Sequence, residues 1–313
     1  MNSGRIILIV LLIVIIIIIV AEILELRRYN EMQNVNVNSI NNFTMKSIIR
    51  TVGEDKRLVV TLSTIPDRIE LIGPTLASLL TQTLDADEIA INIPWKSRKG
   101  LEYEIPDWLT SLTRYRSSTN VKIYRVEVDE GPATKLLPTL RRENNDTMII
   151  AVDDDVIYNS RTVAKLVSRY EQTHQAITSF GIKLQKDGSL PTMKSRVGGF
   201  FNGSREVDLV QGFSGFLVTP EMFPKEVYDL SIGPPESISV DDVHFSGWLR
   251  YNGTKIITSG RNFTSLPLVN LGKMRATTAL GEGENQGFER DQIVIQWFID
   301  EMNVKPVSLS ERD

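Results

Sequence analysis

Residues Met148–Asp155 read MIIAVDDD, an apolar run followed directly by three aspartates. A short apolar run of this kind is typical of a buried strand, and ligands of open α/β sheets bind outside the carboxyl ends of strands. Three adjacent carboxylates repel one another, so their charge requires either solvation or a divalent cation such as Mg²⁺ or Mn²⁺, which prefers oxygen ligands. The stretch therefore predicts a strand that ends at an acidic site, and a solvated acidic turn is the alternative.

Strand-like and helix-like segments alternate on both sides of this stretch, which predicts an α/β fold with a mostly parallel central sheet flanked by helices. Residues Gly272–Glu289 are rich in glycine and polar side chains and predict a mobile loop. The predicted strands are Leu58–Leu62, Glu88–Ile93, Val121–Val128, Met148–Val152, Val207–Val218 and Lys255–Thr258. The predicted helices are Pro74–Leu80, Pro106–Leu112, Ala133–Arg142, Arg161–His174, Asp241–Tyr251 and Asp291–Met302.

A second acidic pair, Asp241 and Asp242, precedes the segment VHFSGWL. Carboxylates near a helix N-terminus are stabilised by the helix dipole, and Ser239 is a suitable capping residue, so the pair has a structural interpretation. Such a pair also suits a general base that faces an acceptor hydroxyl. Asp242 is the predicted base, with Asp241 beside it as a second catalytic candidate.

Two further segments carry candidate donor-binding residues. Thr64, Pro66 and Arg68 follow the first predicted strand, where a nucleotide base and ribose would lie and where Arg68 would reach a phosphate. Lys135 ends the sequence GPATK, which opens a predicted helix, and backbone N–H groups at a helix start bind anions. A surface arginine and a solvated lysine are the alternatives.

The sequence QGFSGF places Gly212, Phe213 and Gly215 in a predicted strand. Glycine in a strand allows a ligand to approach the backbone closely, and a plain bulge is the alternative. We therefore include these three residues in the predicted acceptor and donor pocket. His244 follows the second acidic pair, and a surface or capping role is expected for it rather than metal ligation.

The composition limits the available chemistry. The chain has 313 residues, a net charge of −4, no cysteine and two histidines. Without cysteine there are no disulfides, cysteine nucleophiles or thiolate metal sites, and two histidines exclude a three-histidine metal site within one chain. The negative net charge argues against a nucleic-acid partner held by a basic face. Carboxylates, hydroxyls, lysine and arginine must therefore carry the chemistry.

The N-terminal residues 6–26 are apolar except for Glu22 and Glu25. About 20 apolar residues are enough to span a bilayer, and the following residues are a poor signal-peptidase site. We therefore expect a cytosolic tail at 1–5, an uncleaved transmembrane signal anchor at 6–26, a stem at 27–56 and one folded domain at 57–313. This predicts a single-pass type II membrane protein whose folded domain lies in the Golgi or ER lumen.

Five segments occur in one order along the chain: VVTLSTIPDRI, GPATKLLPTL, IIAVDDDVIY, QGFSGF and VDDVHFSGWL. The ordered set resembles glycosyltransferases of the GT-A fold, particularly the family-2-like hexosyltransferases, over roughly residues 57–260. The resemblance implies that Asp153 and Asp155 hold Mn²⁺ or Mg²⁺ with the donor diphosphate, that Asp154 assists in donor binding, and that Asp242 is the base of an inverting reaction. The N-terminal segment resembles the anchors of type II Golgi transferases.

The resemblance implies a metal-dependent transferase that moves a hexose or similar sugar from a nucleotide-diphosphate donor to a hydroxyl of a glycan, glycoprotein or glycolipid. Two alternatives stay open. A sugar nucleotidyltransferase would carry a glycine-rich, basic phosphate loop near the first strand, and no such loop follows Leu62. A non-catalytic carbohydrate-binding or scaffold protein on the same fold would not need both acidic sites.

Overall fold

The computed structural model describes residues 3–34, 56–114, 118–191, 196–198, 203–260 and 288–307, with no side chains described at 3–9 and 196–198. Most of the predicted stem, from residue 35 to residue 55, lies outside the described residues. The same holds for the predicted mobile loop Gly272–Glu289 as far as residue 287.

The described strands are short and mostly buried, as the apolar runs predict. They are β1 Leu58–Ser63, β2 Glu88–Pro94, β3 Asn120–Val126, β4 Met148–Ala151, β5 Ala176–Thr178, β6 Phe180–Ile182, β7 Arg196–Gly198, β8 Glu206–Val207, β9 Leu209–Val210, β10 Phe216–Val218 and β11 Ile256–Thr258.

The described helices are α1 Ser3–Gln33, α2 Gly73–Leu80, α3 Asp107–Arg114, α4 Leu137–Arg142, α5 Thr162–Thr173, α6 Asp241–Tyr251 and α7 Glu289–Asp300. The predicted helix Ala133–Arg142 is instead a 3₁₀ helix, Gly131–Lys135, followed by α4. Pro138 accounts for the break, because it has no N–H to continue a helical ladder and is favoured in the first turn of a new helix.

Eight strands form the main sheet in the order β3-β2-β1-β4-β10-β5-β11-β8. Strands β3, β2, β1 and β4 are parallel, whereas β10 is antiparallel to both of its neighbours. Strand β11 is parallel to β5 and antiparallel to β8. Four of the seven pairings are therefore parallel, which confirms the predicted α/β fold with a mostly parallel sheet.

Three chain segments meet at one end of the central strands of this sheet. The carboxyl ends of β1 and β4 lie side by side, with Thr61 opposite Ala151. Because β10 is antiparallel to β4, it begins where β4 ends, and Phe216 also lies opposite Ala151. The predicted strand Val207–Val218, which the glycines at 212 and 215 were expected to interrupt, is broken by a 3₁₀ turn at Gly212–Ser214, just before β10. The topology thus brings the segments after Ser63 and Ala151 together with the segment before Phe216.

The buried face of helix α6 packs on strand β9 and on helix α7. The Val210 backbone N–H donates to Ser246 Oγ (2.9 Å), and that hydroxyl donates to the carbonyl of Asp242 (2.6 Å). Trp248 is fully buried and its ring meets that of Phe298 in α7 at 5.4 Å between centroids. These contacts fix the N-terminus of α6, where the second acidic pair lies. A smaller sheet, β7-β6-β9, completes this side of the domain.

The predicted membrane anchor is not supported. No helix among the described residues is both long enough and apolar enough to cross a membrane. The predicted single-pass type II localisation in the Golgi or ER is therefore wrong. In α1 the apolar run from Val10 is followed within the same helix by Glu22, Glu25 and Arg27.

Candidate active site

The candidate site lies at the end of the central strands where the three chain segments meet. Asp153 follows β4, Arg68 follows β1, and Gly212 lies in the turn that leads into β10. Asp241 opens α6. Residues that are far apart in the chain are therefore neighbours here, and both predicted acidic segments belong to one cluster.

Lys135 lies at the centre of that cluster. Its Nζ is 2.8 Å from Asp153 Oδ1, 2.9 Å from Asp241 Oδ2 and 3.9 Å from Asp242 Oδ1. The lysine side chain is only 8% exposed, so the alternative of a solvated lysine is excluded. Burial alone would lower the pKa of Lys135, but the three carboxylates raise it well above its ordinary value. One ammonium group therefore bridges the two acidic segments and keeps its charge.

The backbone of Lys135 is fixed as firmly as its ammonium group. Its carbonyl accepts hydrogen bonds from Thr61 Oγ1 (2.7 Å) and Asn92 Nδ2 (3.3 Å), which project from the buried strands β1 and β2. Gly131, at the start of the 3₁₀ helix, has φ +63°, and a Cβ there would lie 2.7 Å from the carbonyl oxygen of Ile238. The positive φ and the close approach therefore require glycine at this position, and the resulting turn places Lys135 in the cluster.

Gly212 allows the cluster to approach the backbone of the QGFSGF segment. Its N–H donates to Asp242 Oδ2 (2.8 Å). A Cβ at this position would lie 2.5 Å from Asp242 Oδ1 and 2.6 Å from Lys135 Nζ, which is shorter than a van der Waals contact, so these side chains would have to move. Gly212 therefore allows the Asp242 and Lys135 side chains to lie against its backbone. The predicted close approach of a ligand at this position stays a prediction.

The other two predicted pocket residues support this segment. Gly215 has φ +79° and donates from its N–H to the carbonyl of Gly212 (2.9 Å). The Phe213 ring stacks on that of Phe180 with 6.3 Å between centroids, and its carbonyl accepts from the Tyr158 hydroxyl (3.2 Å). The segment is thus held in a tight turn beside the acidic cluster.

A second cation, Arg68, pairs with the remaining aspartates of the triplet. Its guanidinium nitrogens lie 3.1 Å from Asp154 Oδ1 and 3.2 Å from Asp155 Oδ2. Asp154 is buried, and burial raises its pKa to about 6 although the Arg68 charge opposes that rise. Burial, followed by the charge of Asp153, also raises the pKa of Asp155. Arg68 is therefore a member of the site and not a free surface arginine.

The carboxyl of Asp242 has a raised pKa. Burial of its carboxyl, followed by repulsion from Asp241, raises its pKa to about 8, although Lys135 opposes the rise. Its Oδ2 accepts from Gly212, whereas no partner in the described part of the chain bonds to Oδ1. About a third of the side chain (35%) is exposed, but Oδ1 itself is buried.

The remaining predicted donor-binding residues border the Arg68 side. Thr64 is buried, and its carbonyl accepts from the Tyr103 hydroxyl (3.1 Å). Pro66 lies in the turn that follows β1, which the hydrogen bond from Arg68 N to the carbonyl of Ile65 (3.0 Å) closes. The turn thus aims Arg68 back at the aspartate triplet.

The predicted metal ligands do not form a metal site as they are placed. Asp153 faces Lys135 and Asp155 faces Arg68, so the two carboxylates are engaged by different cations. Within the described ranges, no group of three or more histidine, cysteine, aspartate or glutamate side chains is arranged to hold a metal ion. His244 does not complete one, because its Nε2 lies 3.1 Å from the carbonyl of Val227. It is buried, contrary to the surface role expected for it.

Two functional contributors were missed by the sequence reasoning. Tyr158 accepts a hydrogen bond from the Asp153 N–H at its hydroxyl (2.8 Å), and Asn92 positions the Lys135 loop from within a buried strand. A polar residue inside an apolar strand was the available signal for Asn92, since buried polar groups are normally hydrogen-bonded. Tyr158 gave no such signal, because an aromatic residue after an apolar pair is typical of a core position.

Comparisons with known proteins give structural matches alone. No family model and no curated protein matches the chain. Among solved structures, S. aureus TarS 1–349 matches at 17% identity and a TM-score of 0.41, covering 64% of this chain and 57% of that chain. The same TarS fragment in complex with UDP-GlcNAc matches at 17% identity and a TM-score of 0.42, covering 64% and 55%.

A third match is GalNAc-T7 with UDP, GalNAc and Mn²⁺, at 13% identity and a TM-score of 0.47, covering 66% of this chain and 43% of that chain. The chain thus spans about half the length of these structures. Because all three TM-scores are below 0.5, the likenesses do not assign a family or an activity to this chain.

Proposed function

We propose that the protein is a glycosyltransferase of the GT-A type that moves a hexose, or a similar sugar, from a nucleotide-diphosphate donor to a hydroxyl group. The acceptor is a glycan, a glycoprotein or a glycolipid. The observation that carries this proposal is the bridge from Asp153 to Asp241 through the Lys135 ammonium, at 2.8 and 2.9 Å. It joins a candidate donor-binding triplet to the acidic pair that contains the candidate base, at the carboxyl ends of the parallel strands β1 and β4, where ligands of such sheets bind.

The donor side of the site is assigned to the β1 and β4 loops. Thr64 and Pro66 border the space for the nucleoside, and Asp153 and Asp154 bind its ribose and the donor sugar. Arg68 and Lys135 are the cations of the cluster and face the negative charge of the diphosphate. Preorganised charges of this kind stabilise the charge that develops on a leaving phosphate.

The acceptor side is assigned to Asp242. Its carboxylate takes the proton of the acceptor hydroxyl, and the hydroxyl oxygen forms a bond to the anomeric carbon of the donor. The bond from that carbon to the phosphate oxygen breaks, and its electron pair leaves with the nucleoside diphosphate. Attack from the face opposite the leaving group inverts the configuration at the anomeric carbon. Asp241 stays paired with Lys135 and keeps Asp242 in place.

The expected Mn²⁺ or Mg²⁺ enters no step of this scheme. When bound in a transferase site, such an ion neutralises a donor diphosphate. Here Asp153 and Asp155 face Lys135 and Arg68, so the residues as arranged do not fit that ion. The assay below includes both the metal and a chelator.

A non-catalytic carbohydrate-binding protein and a sugar nucleotidyltransferase are the alternatives. Against the first, the raised pKa of Asp242 and its unpartnered Oδ1 among the described residues favour proton transfer. Against the second, the segment after β1 forms the Arg68 turn and is not a glycine-rich phosphate loop.

The test is release of nucleoside diphosphate from a panel of UDP-, GDP- and dTDP-sugars, with Mn²⁺ and with a chelator. Release from one donor that depends on Asp242 supports the proposal and identifies the sugar. Formation of a nucleotide sugar from a sugar phosphate would instead indicate the nucleotidyltransferase. Absence of both release and nucleotide binding would contradict the proposal and favour the non-catalytic protein.

A further inference from the structure

The second half of α1 is built into the folded domain. Arg28 is 9% exposed, and Met32, one helical turn further on, is 2% exposed and belongs to the hydrophobic core. Glu25 accepts a hydrogen bond from the Ser160 hydroxyl, just after the β4 loop. Arg27, which lies between Glu25 and Arg28 in the sequence, is exposed to solvent. One face of this part of the helix is therefore packed while the opposite face is exposed.

Arg28 makes three hydrogen bonds to the domain, while its Nη1 also lies 3.5 Å from Glu25 Oε2 within α1 and its Nε has no hydrogen-bond partner among the described residues. Its Nη1 donates to the carbonyl of Tyr158 (2.9 Å), and its Nη2 donates to the carbonyl of Ser78 (2.9 Å) and to Thr81 Oγ1 (2.7 Å). A buried guanidinium is costly unless its hydrogen bonds are made, so this geometry ties α1 to α2 and to the β4 loop together.

Tyr158 connects that contact to the candidate active site. Its hydroxyl accepts from the Asp153 N–H (2.8 Å) and donates to the carbonyl of Phe213 (3.2 Å). Its own N–H donates to Ser78 Oγ (3.0 Å), so Ser78 and Arg28 hold the backbone of Tyr158 from two sides. The tyrosine is fully buried. It therefore spans from α1 to the first aspartate of the triplet and to the QGFSGF segment.

We propose that Arg28 is a positioning residue of the candidate active site, which acts through Tyr158 on Asp153 and Phe213. The C-terminal half of α1 is then part of the catalytic unit and not a detachable stem. Any fragment that begins after residue 34 would lack this support even though it keeps every residue of the acidic cluster. The assignment of the supported site to catalysis rests on the proposed function, whereas the physical connection from Arg28 to Asp153 does not.

The connection is tested by hydrogen exchange on the full-length protein. Arg28→Met removes the three hydrogen bonds from the guanidinium to the domain, and we expect the Asp153 amide to exchange at least tenfold faster. Arg27→Met, on the exposed face of the same helix, is the matched control and should leave the exchange unchanged. Tyr158→Phe keeps the ring and the carbonyl that Arg28 contacts but removes the acceptor of the Asp153 N–H, and it should give the same faster exchange with an intact fold.

Turnover provides the second readout. Under the proposed function, Arg28→Met and Tyr158→Phe each lower kcat for donor cleavage at least tenfold, while Arg27→Met does not. The variant with both Arg28→Met and Tyr158→Phe should have a kcat no lower than that of the less active single variant. Unchanged exchange at Asp153 in Arg28→Met would overturn the inference, whatever Tyr158→Phe shows. Faster exchange in a protein that shows no turnover with any donor would uphold the positioning role and contradict the proposed function alone.

Discussion

The two cations of the site, Lys135 and Arg68, share one aspartate triplet but do different things. Lys135 is 8% exposed and pairs with Asp153 and with Asp241, which come from separate parts of the chain. Arg68 is 18% exposed and pairs with Asp154 and Asp155, which are adjacent in one loop. The first cation joins two segments into a site, and the second arranges the charges within one of them.

The difference shows which interactions create a site and which adjust it. A buried charge that loses its partner is strongly destabilised, whereas a partly solvated charge recovers much of its solvation. Lys135 is therefore expected to matter for both folding and turnover. Arg68 is expected to matter mainly for binding the donor.

The largest effect is expected for Lys135→Met. Three carboxylates then lose their common cation, which should lower the free energy of unfolding by about 3–5 kcal/mol and turnover on the order of 10²–10³-fold. Denaturant unfolding and nucleoside diphosphate release measure the two effects. Lys122→Met is the matched control, because Lys122 also pairs with a buried carboxylate, Glu88, but is 54% exposed. Equal losses in both variants would contradict the special position of Lys135.

The next largest effect is expected for Gly212→Ala. The new Cβ would lie 2.5 Å from Asp242 Oδ1 and must displace that carboxylate. We expect kcat to fall about 10²-fold, since small displacements of catalytic groups are costly, while the fold is retained. Gly203→Ala is the control, because a Cβ there has no atom within 4 Å among the described residues. A Gly212→Ala variant with the wild-type kcat would contradict the claim that turnover requires the Asp242 carboxylate to lie against the backbone of residue 212.

A smaller effect is expected for Arg68→Gln. Without the guanidinium charge the pKa of Asp154 rises further above about 6, and the donor loses one cation. We expect KM for the donor to rise about tenfold with little change in stability, in keeping with a partly solvated ion pair. Initial rates measure KM, and Arg114→Gln, an exposed arginine at the end of α3, is the control. A stability loss as large as that of Lys135→Met would remove the distinction between the two cations.

The smallest effect concerns pH. Because Asp242 must be ionised to accept a proton and its pKa is raised to about 8, kcat should rise with pH through about 8. In the folded state Asp242 keeps its proton up to a pH of about 8, whereas in the unfolded chain it loses the proton at its ordinary pKa of 3.8. The contribution of Asp242 to the free energy of unfolding is therefore fully present below pH 3.8 and declines as the pH rises toward 8. Asp242→Asn should flatten both profiles. A kcat that is constant from pH 6 to 9 in the wild type would contradict the role of Asp242.

Much of the fold was predictable because the first half of the chain is locally consistent. The apolar runs at β1, β2 and β4 are short and bounded by turn residues, and helix α6, Asp241–Tyr251, begins and ends where the sequence predicts. The antiparallel insertion of β10 was not predictable, since a three-residue strand carries no sign of its direction. That insertion brings Gly212 to the site.

The candidate site was predictable as residue types but not as an arrangement. Adjacent aspartates indicated an acidic site, and the structure brings both acidic segments together. The sequence does not show which cation lies between them, because lysine is flexible and its partners depend on tertiary contacts. The same is true of α1, where one buried arginine, Arg28, decides that the helix packs on the domain.

The measurement that tests the central claim most directly is a pair of double-mutant cycles on the free energy of unfolding. The first combines Lys135→Met with Asp241→Asn, and the second combines Arg68→Gln with Asp241→Asn. We predict a coupling energy of about 1–3 kcal/mol in the first cycle and additivity within about 0.5 kcal/mol in the second. Additivity in both cycles would contradict the claim that one ammonium group joins the two acidic segments into a single site.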